Sequence, residues 1–154
     1  MKLSVLDRIS NKIASTQSSR PIVSKLTSPL ASISFDDIPH SAARVGGPIL
    51  AAAEVQATYY VCGGHSGLTF EGRPQHEVSD LVNLAQAGHE IACHTYGHPN
   101  VVNLDNAARL KDIAANASFI QEQVYTTAPS SFAYPFGRVS TKAKVFYSQQ
   151  FLTC

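Results

Sequence analysis

Two histidines separated by three residues, His94 and His98, are the clearest metal-binding signal in this sequence. At that spacing both imidazoles can lie on one face of a helical turn and offer one nitrogen each to the same ion. A pair of ordinary surface histidines is the commoner explanation of such a motif standing alone. Here the pair directly follows a predicted strand and is flanked by Gly97 and Pro99. These features favour a functional loop.

An adjacent pair of carboxylates, Asp36 and Asp37, follows a different predicted strand. One carboxylate oxygen and two imidazoles make a facial metal site that leaves positions open for water and substrate. A second aspartate beside the ion, but not bound to it, can accept a proton from water. This division of roles suits hydrolysis of a carbonyl compound, whereas a solvated acidic turn is the alternative for the motif alone.

Two other metal chemistries use related residues. A zinc protease of the HExxH type needs a glutamate directly after the first histidine as general base, and Thr95 stands at that position. That interpretation fails. A ferrous oxygenase with two histidines and one carboxylate has the same ligand count, so on the ligands alone it remains open.

The elements that must position these residues alternate along the chain, which is typical of an α/β fold built from parallel βα units. Apolar and β-branched runs predict five strands, at 31–35, 57–62, 90–93, 131–134 and 151–154. Helical periodicity predicts four helices between them, at 42–55, 77–87, 104–124 and 141–149, with Gly88 as a C-cap. Because the carboxyl ends of parallel strands meet at one edge, we expect four loops to converge there. They are 36–37, 63–65, 94–98 and 135–137.

Composition excludes several classes of protein. The 154 residues suffice for about one domain, and a formal charge of +1 is too balanced for broad contact with nucleic acid. No apolar run approaches the roughly 18 residues of a membrane span. Three widely spaced cysteines give no disulfide framework, which predicts a reducing, cytoplasmic location.

The N-terminal region is predicted to be separate from the catalytic part. Residues 1–29 comprise a short amphipathic helix and a linker rich in serine, threonine and proline, and residues 30–154 form the catalytic domain. We expect the helix to pack on the domain through the apolar residues Leu3, Leu6, Ile9 and Ile13.

Four segments, in order, resemble successive motifs of the polysaccharide deacetylases of carbohydrate esterase family 4, which include chitooligosaccharide deacetylases. The segments are 34–37 (SFDD), 57–61 (ATYYV), 88–98 (GHEIACHTYGH) and 132–137 (FAYPFG). One such motif is weak, but four in the family's order are a specific signal. The resemblance implies an irregular (β/α) barrel, incomplete here with about five βα units.

The resemblance also implies residue roles. Asp36 would be the general base, and Asp37, His94 and His98 would hold a divalent metal ion, with zinc the expected ion. The reaction implied is hydrolysis of the N-acetyl group of a sugar polymer or oligomer, which gives acetate and a free amine. The substrate is therefore expected to be a carbohydrate.

The third motif is expected to contact substrate through Tyr134, Pro135 and Phe136. The backbone N–H of Phe136, where the family has tyrosine, would help to stabilise the oxyanion, and a backbone donor tolerates that exchange. Many members carry an arginine that orients the base at the position of Ala133. This departure concerns how Asp36 is oriented as the general base.

The family's later motifs include a tryptophan-containing segment and a histidine proposed as general acid, and this sequence contains no tryptophan. The alternative function is therefore a catalytically impaired, truncated homologue that binds metal or glycan without efficient turnover. About five strands would leave an open sheet edge. We expect a second copy of the chain or a partner chain to cover that edge.

Overall fold

The computed structural model of the protein describes residues 5–17, 25–124 and 127–154. Part of the predicted linker, residues 18–24, lies outside the described residues, and so do residues 1–4 with Leu3. The division into an N-terminal region and a catalytic domain stays a prediction.

A parallel sheet forms the centre of the fold. Its strands are β1 (Ser34–Asp36), β2 (Thr58–Val61) and β5 (Glu90–Cys93), in the order β1-β2-β5. Asp36 is level with Tyr60, and Val61 is level with Cys93. Between β2 and the next helix the chain forms a small antiparallel hairpin from β3 (Thr69–Phe70) and β4 (Arg73–Pro74). The alternation predicted an α/β fold with parallel strands, and this is confirmed.

Within the described residues, five α-helices accompany the strands. They are α1 (Val5–Thr16), α2 (Gly47–Ala52), α3 (Val78–Gln86), α4 (Asn106–Val124) and α5 (Thr141–Gln150). A π-helical turn, Ala42–Gly46, leads directly into α2. Pro48 has no N–H to donate back to the preceding turn, so the glycines and proline predicted to interrupt this helix change its winding at the start. They do not break it.

The helix ends follow the signals in the sequence. Glu77 and Asp80 form a reciprocal capping box at the start of α3, and Gly88 adopts a φ of 87° just after its end, as expected for a glycine C-cap. Asp105 caps α4 by accepting a hydrogen bond from Ala108 N at 2.8 Å.

The fourth and fifth predicted strands are only partly realised. Cys93 pairs in parallel with Phe132, and Ser131 pairs in parallel with Thr153, each as an isolated bridge. Both segments thus extend the sheet in sequence order beyond β5. Barrel closure is not a feature of the described residues.

Two apolar clusters pack on the sheet. The first joins β1 and β2 to α3 and includes Ile38, Tyr59, Val61 and Leu81. The second lies under α5 and includes Cys93, Phe132, Tyr147 and Phe151. In the second cluster the rings of Phe132 and Tyr147 stack with centroids 4.1 Å apart. Each cluster fixes one side of the sheet edge at which the loops meet.

Helix α1 packs on α5 through polar contacts, and of its predicted apolar face Leu3 and the side chain of Leu6 lie outside the described residues. Val139 N donates to Asn11 Oδ1 at 2.7 Å, and Lys144 Nζ donates to the carbonyl of Ala14 at 2.9 Å. Ile9 and Ile13, expected in that contact, are 52% and 48% exposed. The polar contacts determine the orientation of the helix, so the expectation was wrong for these two residues. Of the described helices, none is both long and apolar enough to cross a membrane.

Candidate metal centre

The candidate metal centre combines an aspartate with two histidines that lie more than fifty positions further along the sequence. Asp37 meets His94 and His98 at the carboxyl ends of β1 and β5. Asp37 Oδ1 lies 3.5 Å from His94 Nε2 and 3.1 Å from His98 Nε2. All three candidate ligand atoms lie within 4.8 Å of one another. The two histidine side chains are buried, whereas that of Asp37 is 40% exposed. The cluster is therefore open to solvent on the carboxylate side.

A tight turn after β1 brings the Asp37 carboxylate into the cluster. Ile38 N donates to Asp36 O at 2.7 Å, and Asp37 and Ile38 have φ values of 62° and 51°. The carbonyl of Ile38 accepts two hydrogen bonds from His76, one from its backbone N at 3.0 Å and one from Nδ1 at 3.1 Å. These two hydrogen bonds from His76 stabilise the turn after β1.

The orientation of the His94 ring follows from its hydrogen bond. Nδ1 lies 3.0 Å from the carbonyl of Ala133, which can only accept, so Nδ1 donates this hydrogen bond and Nε2 is the ring nitrogen that faces Asp37. The residue where many family members have arginine thus orients a histidine through its backbone.

Thr95 shapes the loop that carries both histidines. Its hydroxyl donates to the carbonyl of His94 and accepts from His98 N at 3.1 Å. Thr95 and His98 have positive φ values of 68° and 52°, and Phe136 on the neighbouring loop has one of 60°. Such backbone at non-glycine residues costs about 1–3 kcal/mol each and concentrates at functional sites.

Aromatic rings surround the imidazole of His98. Phe136 lies 4.4 Å from it between centroids, Phe70 from the hairpin lies 5.6 Å away edge-on, and His65 lies 5.9 Å away. Phe70 also stacks on His65 at 4.1 Å. The four loops expected to converge do so, and the hairpin joins them as a fifth segment.

The charges at the site favour binding of a cation. The pKa of Asp37 is lowered, chiefly by hydrogen bonding to His94, although burial acts in the opposite direction. Burial lowers the pKa of His98 and of His65, and the charge of Asp37 opposes this for both. The lowered pKa of Asp37 favours the ionised carboxylate, which is the form that metal binding requires.

The remaining predicted site residues differ in their relation to this cluster. Asp36 ends β1 with an exposed side chain, next to Asp37. Pro135 is buried, and Phe136 is 54% exposed at the rim. Tyr134 packs edge-on against Phe132 at 5.0 Å, and its hydroxyl donates to Cys154 Sγ at 3.5 Å. Among ring contacts of the described residues none joins Tyr134 to either histidine, so its side chain belongs to the second core cluster.

Sequence reasoning missed the hairpin residue Phe70 and the bracing residue His76. Each strand of the hairpin has only two residues, which is too short to show an alternation of apolar and polar side chains. The turn signal Glu71-Gly72 between them could have indicated it. His76 carries no motif of its own, since its role depends on a carbonyl 38 positions earlier.

The donor set fits a divalent transition metal. One carboxylate oxygen and two imidazole nitrogens are ligands that zinc, cobalt and manganese accept, and such a three-residue set leaves positions for water or substrate. Because Nδ1 of His94 is used by the bond to Ala133, Nε2 is the nitrogen left for an ion. Asp37, His94 and His98 are the residues that could hold the ion.

Comparison with protein families finds that a family model described as "Polysaccharide deacetylase" matches residues 24–151. Comparison with curated protein sequences finds no match. Among solved structures, IcaB from Ammonifex degensii is similar with a TM-score of 0.73 and 23% identity, over 82% of this chain and 58% of that one.

Two further structures share the fold. The Streptococcus pyogenes deacetylase PplD, solved in complex with acetate, has a TM-score of 0.69 and 18% identity over 96% of this chain and 60% of that one. A family 4 acetyl xylan esterase from Clostridium thermocellum, in complex with a cobalt ion, has a TM-score of 0.62 and 23% identity over 79% and 55%. The chain thus spans less than two thirds of the structures it resembles.

Proposed function

Because the chain belongs to the polysaccharide deacetylase family, we propose that it hydrolyses the N-acetyl group of a carbohydrate with the help of a divalent metal ion, expected to be zinc. The observation that carries the proposal is the convergence of Asp37, His94 and His98 on one point at the rim of the sheet. Membership of this family favours hydrolysis over the ferrous oxygenase that the ligands alone left open.

The residues divide the work as follows. Asp37, His94 and His98 hold the ion, which when bound supplies Lewis acidity for water and for the amide carbonyl. Asp36, adjacent in sequence and exposed, accepts the proton of the attacking water. The backbone N–H of Phe136 donates to the oxygen on which negative charge develops.

The surroundings of the site support a sugar substrate. The exposed ring of Phe136 offers an apolar face beside His98, which suits the C–H face of a pyranose. The similar structures include the Bc1960 peptidoglycan N-acetylglucosamine deacetylase and the peptidoglycan deacetylase PdaC from Bacillus subtilis. We therefore propose N-acetylated amino sugars as the substrate class. The cytoplasmic location stays a prediction.

Adjacent aspartates give a matched pair of variants that tests the assignment. Zinc content and acetate release from N-acetylglucosamine oligomers are measured for wild type, Asp36→Asn and Asp37→Asn. We expect Asp36→Asn to retain zinc and to lose activity by about 10²–10⁴-fold, the usual effect of removing a general base. Asp37→Asn is expected to lose zinc and activity together.

Two other outcomes of this experiment would not support the proposed function. Zinc bound by wild type without any acetate release would favour the alternative, an impaired homologue that binds metal or glycan. Wild type that binds no divalent ion, with Asp37→Asn indistinguishable from it, would contradict the proposal.

A further inference from the structure

Helix α4 packs against two of the loops that meet at the proposed metal centre, the loop after β2 and the loop after β5. Asn116 is completely buried, its Nδ2 donates to Val61 O at 2.9 Å, and its Oδ1 accepts from Gly63 N at 2.8 Å. Nδ2 also lies 3.2 Å from Cys93 Sγ. One side chain thus joins α4 to the ends of β2 and β5.

Asp112, one helical turn before Asn116, contacts the loop between the two histidines. Its Oδ1 accepts from Tyr96 N at 2.7 Å, and its Oδ2 lies 3.3 Å from Gly97 N as a second acceptor. From the other side, Gly64 N donates to Tyr96 O at 2.9 Å. The Tyr96 residue is therefore held at both its N–H and its carbonyl.

This loop needs external bonds to keep its shape. Thr95 and His98, on either side of the bonded segment, are non-glycine residues with positive φ, a conformation that persists only when the surroundings determine it. Hydrogen bonds to an ionised carboxylate are about twice as strong as neutral ones. Asp112 is the ionisable side chain that bonds this segment among the described residues.

We propose that Asp112 is a positioning residue of the metal centre. Its two hydrogen bonds hold the loop in the conformation that directs Nε2 of His94 and of His98 towards Asp37. The inference rests on the proposed function, because it takes those three residues as metal ligands. Asp112 itself lies outside the set of candidate ligand atoms.

The test compares Asp112→Asn with Asp105→Asn. Asparagine keeps the size of the side chain, but its amide NH₂ cannot accept a hydrogen bond, so one of the two backbone bonds is lost. Asp105 is the matched control, because its carboxylate also accepts a backbone N–H on α4, that of Ala108, without contacting the loop. Both variants remove one negative charge from the same helix.

Zinc affinity is measured by competition with a fluorescent chelator, and coordination geometry by the absorption spectrum of the cobalt-substituted proteins. We expect Asp112→Asn to weaken zinc binding by about 10–100-fold, as loss of groups that orient ligands does, and to alter the cobalt spectrum. Asp105→Asn should leave both unchanged. A general loss of stability would not change the spectrum of the bound ion.

Hydrogen exchange in the metal-free proteins gives a second measurement that does not depend on the ion. The amides of Tyr96 and Gly97 should exchange faster in Asp112→Asn than in wild type or Asp105→Asn. Unchanged zinc affinity and unchanged exchange in Asp112→Asn would overturn the positioning role alone. Equal weakening by both variants would overturn it as well, whereas wild type without zinc binding would overturn the proposed function.

Discussion

At the level of single residues, His76 links acid stability to the geometry of the site. It is fully buried, its Nδ1 donates to the carbonyl of Ile38, and its Nε2 is buried without a hydrogen-bond partner. Burial therefore lowers the pKa of His76 in the folded protein, although the bond to Ile38 opposes this. The folded state therefore disfavours the protonated form.

This predicts a pH dependence with a definite sign. Below the unfolded pKa of about 6.5 the unfolded chain binds a proton that the folded chain does not, so stability is present above that pH and is lost as pH falls. In His76→Asn, which retains a donor but does not titrate, the free energy of unfolding should fall less steeply. The difference in slope should reach up to about 1.4 kcal/mol per pH unit. Urea unfolding in EDTA at pH 5 to 7.5 measures it, and parallel curves would contradict the prediction.

The sequence predicts which side chains meet at the rim better than it predicts the residues that support them, for a physical reason. His94 and His98 are four positions apart, and Asp37 directly follows a strand, so local spacing already places them at the rim. His76 and Asp112 act through backbone groups 38 and 15 to 16 positions away. Those partners are determined by tertiary packing, which no local pattern reveals.

At the level of elements, the loops after β2 and β5 approach each other too closely for a side chain. A Cβ on Gly64 would lie 2.7 Å from the carbonyl oxygen of Tyr96, whereas one on Gly97 would meet Asp112 Oδ2 at an ordinary 3.7 Å. The contact at Gly64 involves backbone, which cannot rotate away. The hydrogen bond from Gly64 N to Tyr96 O depends on that approach.

Gly64→Ala should therefore lower both stability and zinc affinity, by about 1–3 kcal/mol for stability, the range for overpacking. Gly97→Ala, on the facing loop after β5 and with no positive φ in the structure, should change either property little. Thermal unfolding with and without zinc measures both. Equal behaviour of the two alanine variants would show that the loops do not need this close approach.

The elements predicted most accurately include the three helices that begin at a capping side chain. Helices α3, α4 and α5 lie within two residues of their predicted bounds, and β5 has the predicted ones. The segments at 131–134 and 151–154 have the right order and direction but form single bridges. A strand needs paired neighbours along its length, and the one described neighbour of Thr153 is Ser131.

At the level of the whole molecule, the described sheet has two unpaired sides. Within the described residues β1 pairs with β2 alone, and Thr153 ends the other side. Exposed strand edges carry unpaired N–H and C=O groups that favour pairing with another chain. A closed barrel would satisfy such groups within one chain.

We predict that the isolated chain associates through β1, and that a charged residue on this edge opposes association. Size-exclusion chromatography with light scattering should give a mass of at least twice 16.5 kDa for wild type. Ser34→Lys, on the exposed edge strand, should shift the protein towards monomer, because lysine at an edge disfavours strand pairing. Ser79→Lys, at an exposed serine on α3, should not. A strictly monomeric wild type, or an equal effect of both lysines, would show that this edge is not what joins the chains.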